Sequence, residues 1–306
     1  MTSAICTLFE GDYHYGLGAF ANSLYARSFR GTIFAGYRGP LPPWTVGGKV
    51  FDGFTEFSPA AGLTLRFIPL TTKIHLTNHK PDFMLEVWDK HCPEAGAMFY
   101  FDPDITIKCR WTFFEEWVQG GAALCEDVNS PMPSSHPIRN AWRDYYGKLG
   151  RKLKNSLDIY VNGGFLGLSL EQKGFLEEWR QIQREMSPAA GDLMDWVLHD
   201  RTFKFCFTDQ DALNIALMDT ARPFSLSGKD GMDIDRMGYL MSHSLGTNKP
   251  WRRNYLWERL SKGFAPGPAD KNFWANSSQP IRITTDFFKI FKVADIMAAA
   301  ALERLF

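Results

Sequence analysis

Strand-like and helix-like segments alternate through about the first 125 residues, and this alternation constrains the fold more than any other feature of the sequence. Helical segments at 17–29 and 81–91 carry apolar residues at helical spacing. Strands that alternate with helices form a mainly parallel sheet with crossover connections. We therefore predict an α/β fold, with a central mainly parallel sheet and helices on both faces. The strand-like runs lie at residues 4–9, 31–37, 63–70 and 97–101.

The rest of the chain predicts a continuation of this domain and then a helical tail. A Gly- and Pro-containing loop at 264–280 is the best candidate for a boundary. We therefore predict one domain over residues 1–263 and a C-terminal loop with a helical tail over 264–306. The other predicted elements are a short helix near 138–148, a strand, Gly turn and strand at 158–169, and helices at 171–186, 208–219 and 285–306.

Composition excludes several classes of function. Lys+Arg and Asp+Glu both number 34, so the net charge is zero, whereas a nucleic-acid-binding domain normally carries a basic excess. The N-terminus lacks a basic region followed by a long apolar run, and no stretch approaches the roughly 20 apolar residues of a membrane span. The five cysteines are widely spaced, without a Cys-x-x-Cys pair, which fits a reducing compartment. We expect a cytoplasmic protein with no nucleic-acid partner.

Two carboxylates follow the strand-like run at 97–101. Asp102 and Asp104 are separated only by Pro103, which cannot donate to a ladder and should end a central strand. Ligands of open parallel sheets bind beyond the carboxyl ends of the strands. Like charges at this spacing repel unless a cation lies between them, and hard oxygen ligands suit Mg²⁺ or Mn²⁺. The pair therefore indicates a metal site, although a solvated turn at the strand end is the alternative.

A second motif, "HSLGTNKPW" at residues 243–251, supplies groups that suit a metal and a phosphate. His243 could add a nitrogen ligand, and imidazole with two carboxylates favours Mn²⁺ over Mg²⁺. Gly246 would let the backbone approach a ligand closely, and Lys249 would bring a positive charge to a phosphate. A hydrogen-bonded loop residue is the alternative interpretation of His243.

Four motifs in this order resemble the retaining glycosyltransferases of family 8 and their relatives. They are the Asp-x-Asp of residues 102–104, "YVNGGFLGLS", "DQDALN", and the pattern His-x-x-Gly-x-x-Lys-Pro-Trp. The N-terminal "TLFEGDYHYGLGAFANSL" is similar to the opening strand, nucleotide loop and first helix of that family. The resemblance covers roughly residues 4–260. It implies a single Rossmann-like nucleotide-binding domain of the GT-A fold.

The resemblance also implies roles for the residues that match its motifs. Asp102, Asp104 and His243 match the metal ligands, and Gly246 and Lys249 match groups that meet the nucleotide diphosphate. The other implied donor-binding residues are Thr7 at the uracil, Tyr13 against its ring, Lys80 on the donor, Asn162, Gly163 and Gly164 along the sugar, and Phe101 and Pro103 beside the metal ligands.

Asp209 and Gln210 match the pair below the anomeric carbon, and they are the implied catalytic residues. Gln210 is an amide and a poor nucleophile, so same-face substitution is favoured over the double displacement that a carboxylate nucleophile allows. Asp209 would orient the sugar, although a helix cap is an equally open interpretation of this residue.

The function that the resemblance implies is metal-dependent transfer of a hexose from a UDP-sugar to a hydroxyl of a saccharide or glycolipid, with retention. Mn²⁺ is the expected metal and Mg²⁺ the second candidate. A sugar-1-phosphate nucleotidyltransferase is one alternative, but "LFEGDYHYG" lacks the basic residues that such an enzyme usually has in this loop. A non-catalytic module that binds UDP-sugar is the other alternative.

Residues 251–264 mix basic and aromatic side chains, and two interpretations stay open. Such segments can lie on anionic membrane surfaces, which would place the protein peripherally on the inner face of a membrane beside a glycolipid acceptor. The alternative is a packed, partly exposed helix that is stabilised by salt bridges.

Overall fold

The computed structural model describes residues 2–198, 200 and 202–303. Its strands are β1 (Ser3–Glu10), β2 (Gly31–Arg38), β3 (Lys49–Phe51), β4 (Phe54–Ala60), β5 (Leu63–Pro69), β6 (Ala97–Phe101), β7 (Ile105–Ile107), β8 (Ala122–Cys125), β9 (Phe165–Ser169), β10 (Phe224–Ser227) and β11 (Met241–His243). Its α-helices are α1 (His14–Ala26), α2 (Lys80–Glu86), α3 (Trp111–Trp117), α4 (Pro137–Lys148), α5 (Gly174–Met186), α6 (Thr208–Asp219), α7 (Tyr255–Lys262), α8 (Pro268–Ala275) and α9 (Asp286–Glu303).

Nine of the described strands form one sheet, in the order β10-β8-β9-β6-β1-β2-β5-β4-β3. Only β4 and β9 run against the direction of the others. The central strands are nearly continuous apolar runs because helices cover both faces of a mainly parallel sheet. The predicted mainly parallel sheet is therefore confirmed.

Alternate residues of the central strands enter two separate cores. Leu8 of β1 and Tyr100 of β6 belong to the core that includes α2, α5 and α6. Phe9 and Phe99 belong to the core that includes α1, α3 and α8. This period of two follows from the pleat of a strand, and it confirms the prediction of helices on both faces.

The structure differs from the sequence-based expectation at two places around the sheet. The hairpin of β3 and β4 was not predicted, because β3 is entirely exposed and presents no apolar run. It turns at Asp52-Gly53, where Gly53 has φ of 80°. The predicted strand before the Gly turn at 163–164 is wrong: Val161 makes only an isolated bridge with Glu126, and its N–H donates to Asn214 Oδ1 at 2.9 Å.

The tail after residue 263 packs on the α1 side of the sheet. Asn22 of α1 donates through Nδ2 to the carbonyls of Asn276 (2.7 Å) and Ile281 (2.8 Å). Asp295 of α9 accepts hydrogen bonds from the N–H groups of Tyr255 and Leu256, both at 2.9 Å, at the start of α7. The domain boundary at 264 stays a prediction, and the described part of the tail shares the core of the preceding residues.

Two antiparallel pairings assemble one edge of the molecule. β9 pairs with β6 so that Phe165 faces Phe101, and the Asp102 N–H donates to the Gly164 carbonyl at 2.7 Å. β11 pairs with β7 in a separate two-stranded sheet, where His243 faces Ile105. The Asp-x-Asp segment therefore meets both the Gly turn and His243.

Candidate functional site

A cavity of about 410 Å³ opens at this edge. This volume lies within the usual range for small-molecule sites, roughly 300–1,000 Å³. The structure brings most of the predicted site residues into its wall. They are Tyr13, Lys80, Asp102, Pro103, Asp104, Asn162, Gly163, Gly164, Asp209, Gln210, His243, Gly246 and Lys249.

Thr7 and Phe101 are the predicted donor-binding residues that do not line this cavity. Both side chains are fully buried, and the Phe101 ring packs 4.9 Å from Phe165 and 5.2 Å from Phe20. The alternation along β1 and β6 directs these two side chains to a packed face of the sheet, whereas the cavity opens beyond the strand ends. Their positions give no support to the predicted donor contacts.

Three potential metal ligands converge in the cavity. Nε2 of His243 lies 3.4 Å from Asp104 Oδ1 and 3.8 Å from Asp102 Oδ2. The ligand atoms of all three residues lie within 4.8 Å of one another. Nδ1 of His243 is buried and has no hydrogen-bond partner among the described residues, whereas Nε2 faces the two carboxylates.

Each carboxylate is held through the oxygen that does not face His243. Asp102 Oδ1 accepts a hydrogen bond from the Tyr100 hydroxyl at 2.9 Å and pairs with Lys80 Nζ at 3.2 Å. Asp104 Oδ2 pairs with Lys249. The other oxygens, Asp102 Oδ2 and Asp104 Oδ1, stay directed at His243, which is the arrangement that a shared cation requires.

Two lysines compensate part of the acidic charge. Lys80 is only 1% exposed, pairs with Asp209 Oδ2 at 3.0 Å, and donates to the Gly163 carbonyl at 2.8 Å. Burial lowers the pKa of Lys80, but Asp102 and Asp209 raise it further, so the net shift is upward. Asp102, Asp104 and Asp209 together carry one negative charge more than Lys80 and Lys249 balance when His243 is neutral. This excess favours a divalent cation among them.

Burial and partners shift the acidic groups in opposite directions. Burial alone would raise the pKa of Asp104, but Lys249 and His243 together hold it well below its usual value. Burial raises the pKa of Asp209 despite its pairing with Lys80. The carboxylate of Asp104, one of the three converging ligands, is therefore stabilised in its charged form.

The Gly turn is fixed by side chains on both sides. The Gly163 N–H donates to Gln210 Oε1 and the Gly164 N–H donates to Asn162 Oδ1, both at 2.8 Å. A Cβ on Gly164 would lie 2.6 Å from His243 Cε1, and a Cβ on Gly163 would lie 2.9 Å from Asp209 Oδ2. Glycine is needed at both positions because no side chain fits between the turn and the site.

The start of α6 shows which contacts Asp209 makes. Asp211, not Asp209, accepts the hydrogen bond of the Phe207 N–H, at 2.9 Å. The Thr208 hydroxyl donates to Asn78 Oδ1 at 2.8 Å and does not cap the helix. Asp209 instead directs its carboxylate to Lys80 inside the cavity.

Tyr13 lies beside Lys249, the lysine that pairs with Asp104. Lys249 Nζ and Arg252 Cζ lie 5.5 Å and 5.4 Å from the centre of its ring, and Trp251 contacts it edge to face at 5.6 Å. Gly246 has φ of 78°, a conformation that favours glycine, and it also lines the cavity. The part of the cavity around Tyr13 therefore combines an aromatic face with two positively charged side chains.

The packing predicted as one interpretation of residues 251–264 is present in part. Tyr255 is fully buried, and Arg253 pairs with Glu258 (2.7 Å) and Asp270 (2.6 Å). Trp257 and Phe264 are exposed. No helix within the described residues is both long and apolar enough to cross a bilayer.

Sequence reasoning missed several residues of the cavity wall, among them Tyr100, Asp127 and Trp196. Asp127 follows β8 by two residues, so the rule that located Asp102 at a strand end could have found it. Tyr100 lies two residues before Asp102 in an extended segment, so both side chains face the same way and their contact could have been predicted. Trp196 lies in a loop, where no local pattern indicates the direction of a side chain.

Comparison with known proteins establishes the fold. No protein-family model matches the sequence, and no curated protein matches it significantly. The structure is similar to that of a bifunctional glycosyltransferase, WbbM, without bound ligand, with a TM-score of 0.55 and 14% identity over 97% of this chain and 52% of that one. It is similar to the galactosyltransferase LgtC in complex with donor and acceptor sugar analogues, with a TM-score of 0.52 and 15% identity over 94% and 99% of the two chains.

A third similar structure is the glycosyltransferase GlyE of Streptococcus pneumoniae TIGR4, with a TM-score of 0.50 and 14% identity over 98% of this chain and 64% of that one. The chain therefore spans about half of WbbM and less than two thirds of GlyE. The predicted fold is confirmed: this chain has the α/β architecture of GT-A glycosyltransferases.

Proposed function

We propose that this protein is a metal-dependent, retaining glycosyltransferase that moves a hexose from a UDP-sugar to a hydroxyl of a saccharide or glycolipid. The observation that carries the proposal is the convergence of Asp102, Asp104 and His243 within 4.8 Å, in the cavity that also holds Gln210 and Lys249. A GT-A fold alone would not support a specific chemistry, because one fold hosts many functions.

The donor set fits a divalent metal. Asp102 and Asp104 would supply one oxygen each and His243 its Nε2, a mixed set that favours Mn²⁺ with Mg²⁺ as the second candidate. When bound, the metal would act as a Lewis acid that neutralises charge on the nucleotide diphosphate. Lys249 would add a positive charge beside the same diphosphate, and Gly246 leaves room for its close approach.

The nucleotide base would lie at Tyr13. Its ring is half-buried and has two cationic neighbours, Lys249 and Arg252. Stacking of a base on an aromatic face is typically worth about 1–3 kcal/mol. An aromatic platform beside Lys249 suits a UDP-sugar, in which a ribose and two phosphates separate the base from the transferred sugar.

The sugar would lie between the Gly turn and α6. Asn162, Gly163 and Gly164 would line it, and Asp209, held by Lys80, would orient its hydroxyls. The Oε1 of Gln210 accepts a hydrogen bond from the Gly163 N–H, and this contact fixes the side chain. As an amide, Gln210 is also a poor nucleophile.

Same-face substitution therefore accounts for retention. The acceptor oxygen forms its bond to the anomeric carbon as the bond from that carbon to the phosphate oxygen breaks. The acceptor proton passes to the departing phosphate oxygen, so no covalent sugar–enzyme species is required. Gln210 would position the anomeric centre and stabilise charge that develops there.

The nucleotidyltransferase alternative finds little support in the loop after β1. Those enzymes usually have Arg or Lys in this loop, whereas residues 8–16 contain neither. A non-catalytic module stays an alternative that only a turnover measurement can remove.

A membrane partner is supported by an apolar surface on α7, α9 and the residue after the α7 cap, since the two helices contact each other. Its members are the exposed side chains of Trp257, Leu260, Phe264, Phe287, Ile290 and Phe291. Phe287 is 82% exposed and Trp257 64% exposed, which is unusual for side chains of this size. Lys262 at the end of α7 is exposed beside them, so the surface suits an anionic membrane and a glycolipid acceptor.

Co-sedimentation with lipid vesicles tests this contact. We expect the protein to bind vesicles of phosphatidylglycerol and phosphatidylcholine more strongly than vesicles of phosphatidylcholine alone. The double variant Trp257→Ser, Phe291→Ser should lose this binding, whereas Val50→Ser, which alters an exposed apolar residue of β3, should keep it. Equal binding of all variants to both vesicles would remove the membrane from the proposal.

The catalytic proposal is tested by incubating the protein with UDP-glucose, UDP-galactose and UDP-N-acetylglucosamine, each with Mn²⁺, and measuring UDP release. We expect at least one donor to be turned over, with loss of activity in Asp104→Asn and no change in Asp144→Asn, a surface carboxylate of α4. Proton NMR of the product should show the anomeric configuration of the donor. Inverted product would contradict the proposed site chemistry.

A further inference from the structure

The wall of the cavity beside α6 contains an exposed indole. Trp196 lines the cavity and is 40% exposed. Leaving this much of a large aromatic side chain in water costs roughly 25 cal/mol for each Å² of apolar area. Packing alone therefore does not explain why the ring is directed to the cavity and not into a core.

The loop that carries Trp196 is anchored to the catalytic helix. The Thr208 N–H at the start of α6 donates to the Trp196 carbonyl at 3.0 Å. The buried Asn78 side chain donates to the carbonyl of Asp195 at 3.1 Å, directly before it. Val197 forms a bridge with Phe207 on its other side. The backbone of Trp196 is thus fixed next to α6, the helix whose first turn contains Asp209 and Gln210.

Trp196 and Tyr13 have different neighbours. The Trp196 ring centre lies 6.4 Å from that of His75 and 6.5 Å from that of Phe207. Tyr13 instead contacts Trp251, Lys249 and Arg252. Lys249 pairs with Asp104, and Lys80 joins Asp102 to Asp209 of α6, so these ion pairs connect the surroundings of Tyr13 to the helix that anchors Trp196. A donor with its base on Tyr13 and its diphosphate at the converging ligands would therefore direct its sugar toward α6 and Trp196.

The Trp196 end has no free positive charge. No arginine occurs among the described lining residues, and both lysines there are paired with aspartates. Burial lowers the pKa of His75, which keeps this ring neutral at pH 7. Thr77, whose N–H donates to His75 Nδ1 at 3.2 Å, offers an uncharged hydroxyl, and the Glu10 carboxylate near His75 makes this end less favourable for an anion. A ligand with a phosphate or carboxylate at this end would find no partner for its charge.

We propose that Trp196 is the binding platform for an uncharged pyranose of the acceptor, an inference that rests on the proposed glycosyltransferase function. The indole face would cover the apolar C–H face of the sugar ring, while Thr77, beside His75, offers a hydrogen bond to its hydroxyls. The attacking hydroxyl would then lie toward Gln210, because the Trp196 loop and Gln210 share the start of α6.

Kinetics with neutral disaccharides test the inference. Lactose, maltose and cellobiose are added to the donor that is turned over, and UDP release is compared with donor hydrolysis without acceptor. For an accepted disaccharide we expect Trp196→Ala to raise the acceptor KM roughly tenfold, equivalent to about 1.4 kcal/mol, while kcat changes little. Trp196→Phe should restore most of the affinity, because a ring remains.

Phe113→Ala is the matched control, since it removes an aromatic ring of α3 that is also 40% exposed and lies outside the cavity. Its acceptor KM should equal that of the unsubstituted protein. The affinity for UDP, measured by calorimetry, and the rate of donor hydrolysis should be the same in all variants. Equal values would show that each variant folds.

Three results would overturn the inference while leaving the proposed function intact, provided that donor hydrolysis is observed. They are an acceptor KM of Trp196→Ala within twofold of the original, a stronger response to glucose 6-phosphate than to every neutral disaccharide, and no response to any neutral disaccharide. Absence of hydrolysis and of transfer with every UDP-sugar would instead contradict the proposed function itself.

Discussion

Replacing Gly164 with alanine perturbs the proposed metal site through one added methyl group. The new Cβ would lie 2.6 Å from His243 Cε1 and 2.9 Å from Asp102 Oδ2. Attractive contacts between carbon atoms require about 3.5–4.0 Å, so the imidazole and the carboxylate must both withdraw by up to about 1 Å. Gly164 has no positive φ, so the effect on the backbone is small and the clash with the ligands dominates.

The expected magnitude follows from the cost of overpacking. Forcing an extra methyl group into a well-packed site costs about 1–3 kcal/mol. Binding of a cation requires all three ligands to converge, so most of this cost falls on the metal-bound state. Because each 1.4 kcal/mol changes an equilibrium constant tenfold, Mn²⁺ affinity should fall by roughly 5- to 150-fold.

The assay is titration of Mn²⁺ followed by the electron paramagnetic resonance signal of the free ion. Gly163→Ala is the matched control: its Cβ would meet Asp209 Oδ2 at 2.9 Å and no metal ligand, so Mn²⁺ affinity should stay while turnover falls. Gly147→Ala, with nothing within 4 Å of the added Cβ, gives the baseline. Unchanged Mn²⁺ affinity in folded Gly164→Ala would refute the reasoning.

Three further predictions concern single side chains. Tyr100→Phe removes the hydrogen bond to Asp102 Oδ1 and should weaken Mn²⁺ binding roughly 2- to 12-fold by calorimetry, with little effect on urea unfolding. His243→Ala should lose more affinity for Mn²⁺ than for Mg²⁺, and equal losses would make His243 a structural residue. Burial raises the pKa of Asp211 from 3.8 in the unfolded chain to about 7, so its contribution to stability is complete at low pH and is lost as pH rises to 7. Urea unfolding should therefore show wild type losing roughly 2–3 kcal/mol relative to Asp211→Asn between about pH 5 and pH 8.

Local patterns predicted the parts of the fold that are built from continuous apolar segments. β1, β2, β5 and β6 were found because buried parallel strands are apolar along their length. Asp102 and Asp104 were found because a proline ends the strand at the edge where ligands of such sheets bind. The exposed hairpin of β3 and β4 lacks this signal, and the prediction missed it.

The part of the site that depends on distant pairings could not be derived from local patterns. His243 reaches Asp104 through the pairing of β11 with β7, which no local spacing reveals; only the resemblance to a family placed it there. The same holds for Lys80, whose ion pairs with Asp102 and Asp209 join three distant segments. Thr7 was assigned from its place in a motif, whereas the pleat of β1 decides which face of the sheet receives its side chain.

The most direct test of the central claim is calorimetric titration of UDP into the protein with and without Mn²⁺. If Asp102, Asp104 and His243 hold a metal that binds the diphosphate, UDP should bind wild type and Asp144→Asn at least tenfold more tightly with Mn²⁺ present, by the constant that equates tenfold with about 1.4 kcal/mol. Asp104→Asn should lose this dependence on Mn²⁺ while it still unfolds cooperatively, at a lower Tm because Lys249 loses its charged partner. Equal UDP affinity with and without Mn²⁺ in the unsubstituted protein would contradict the claim.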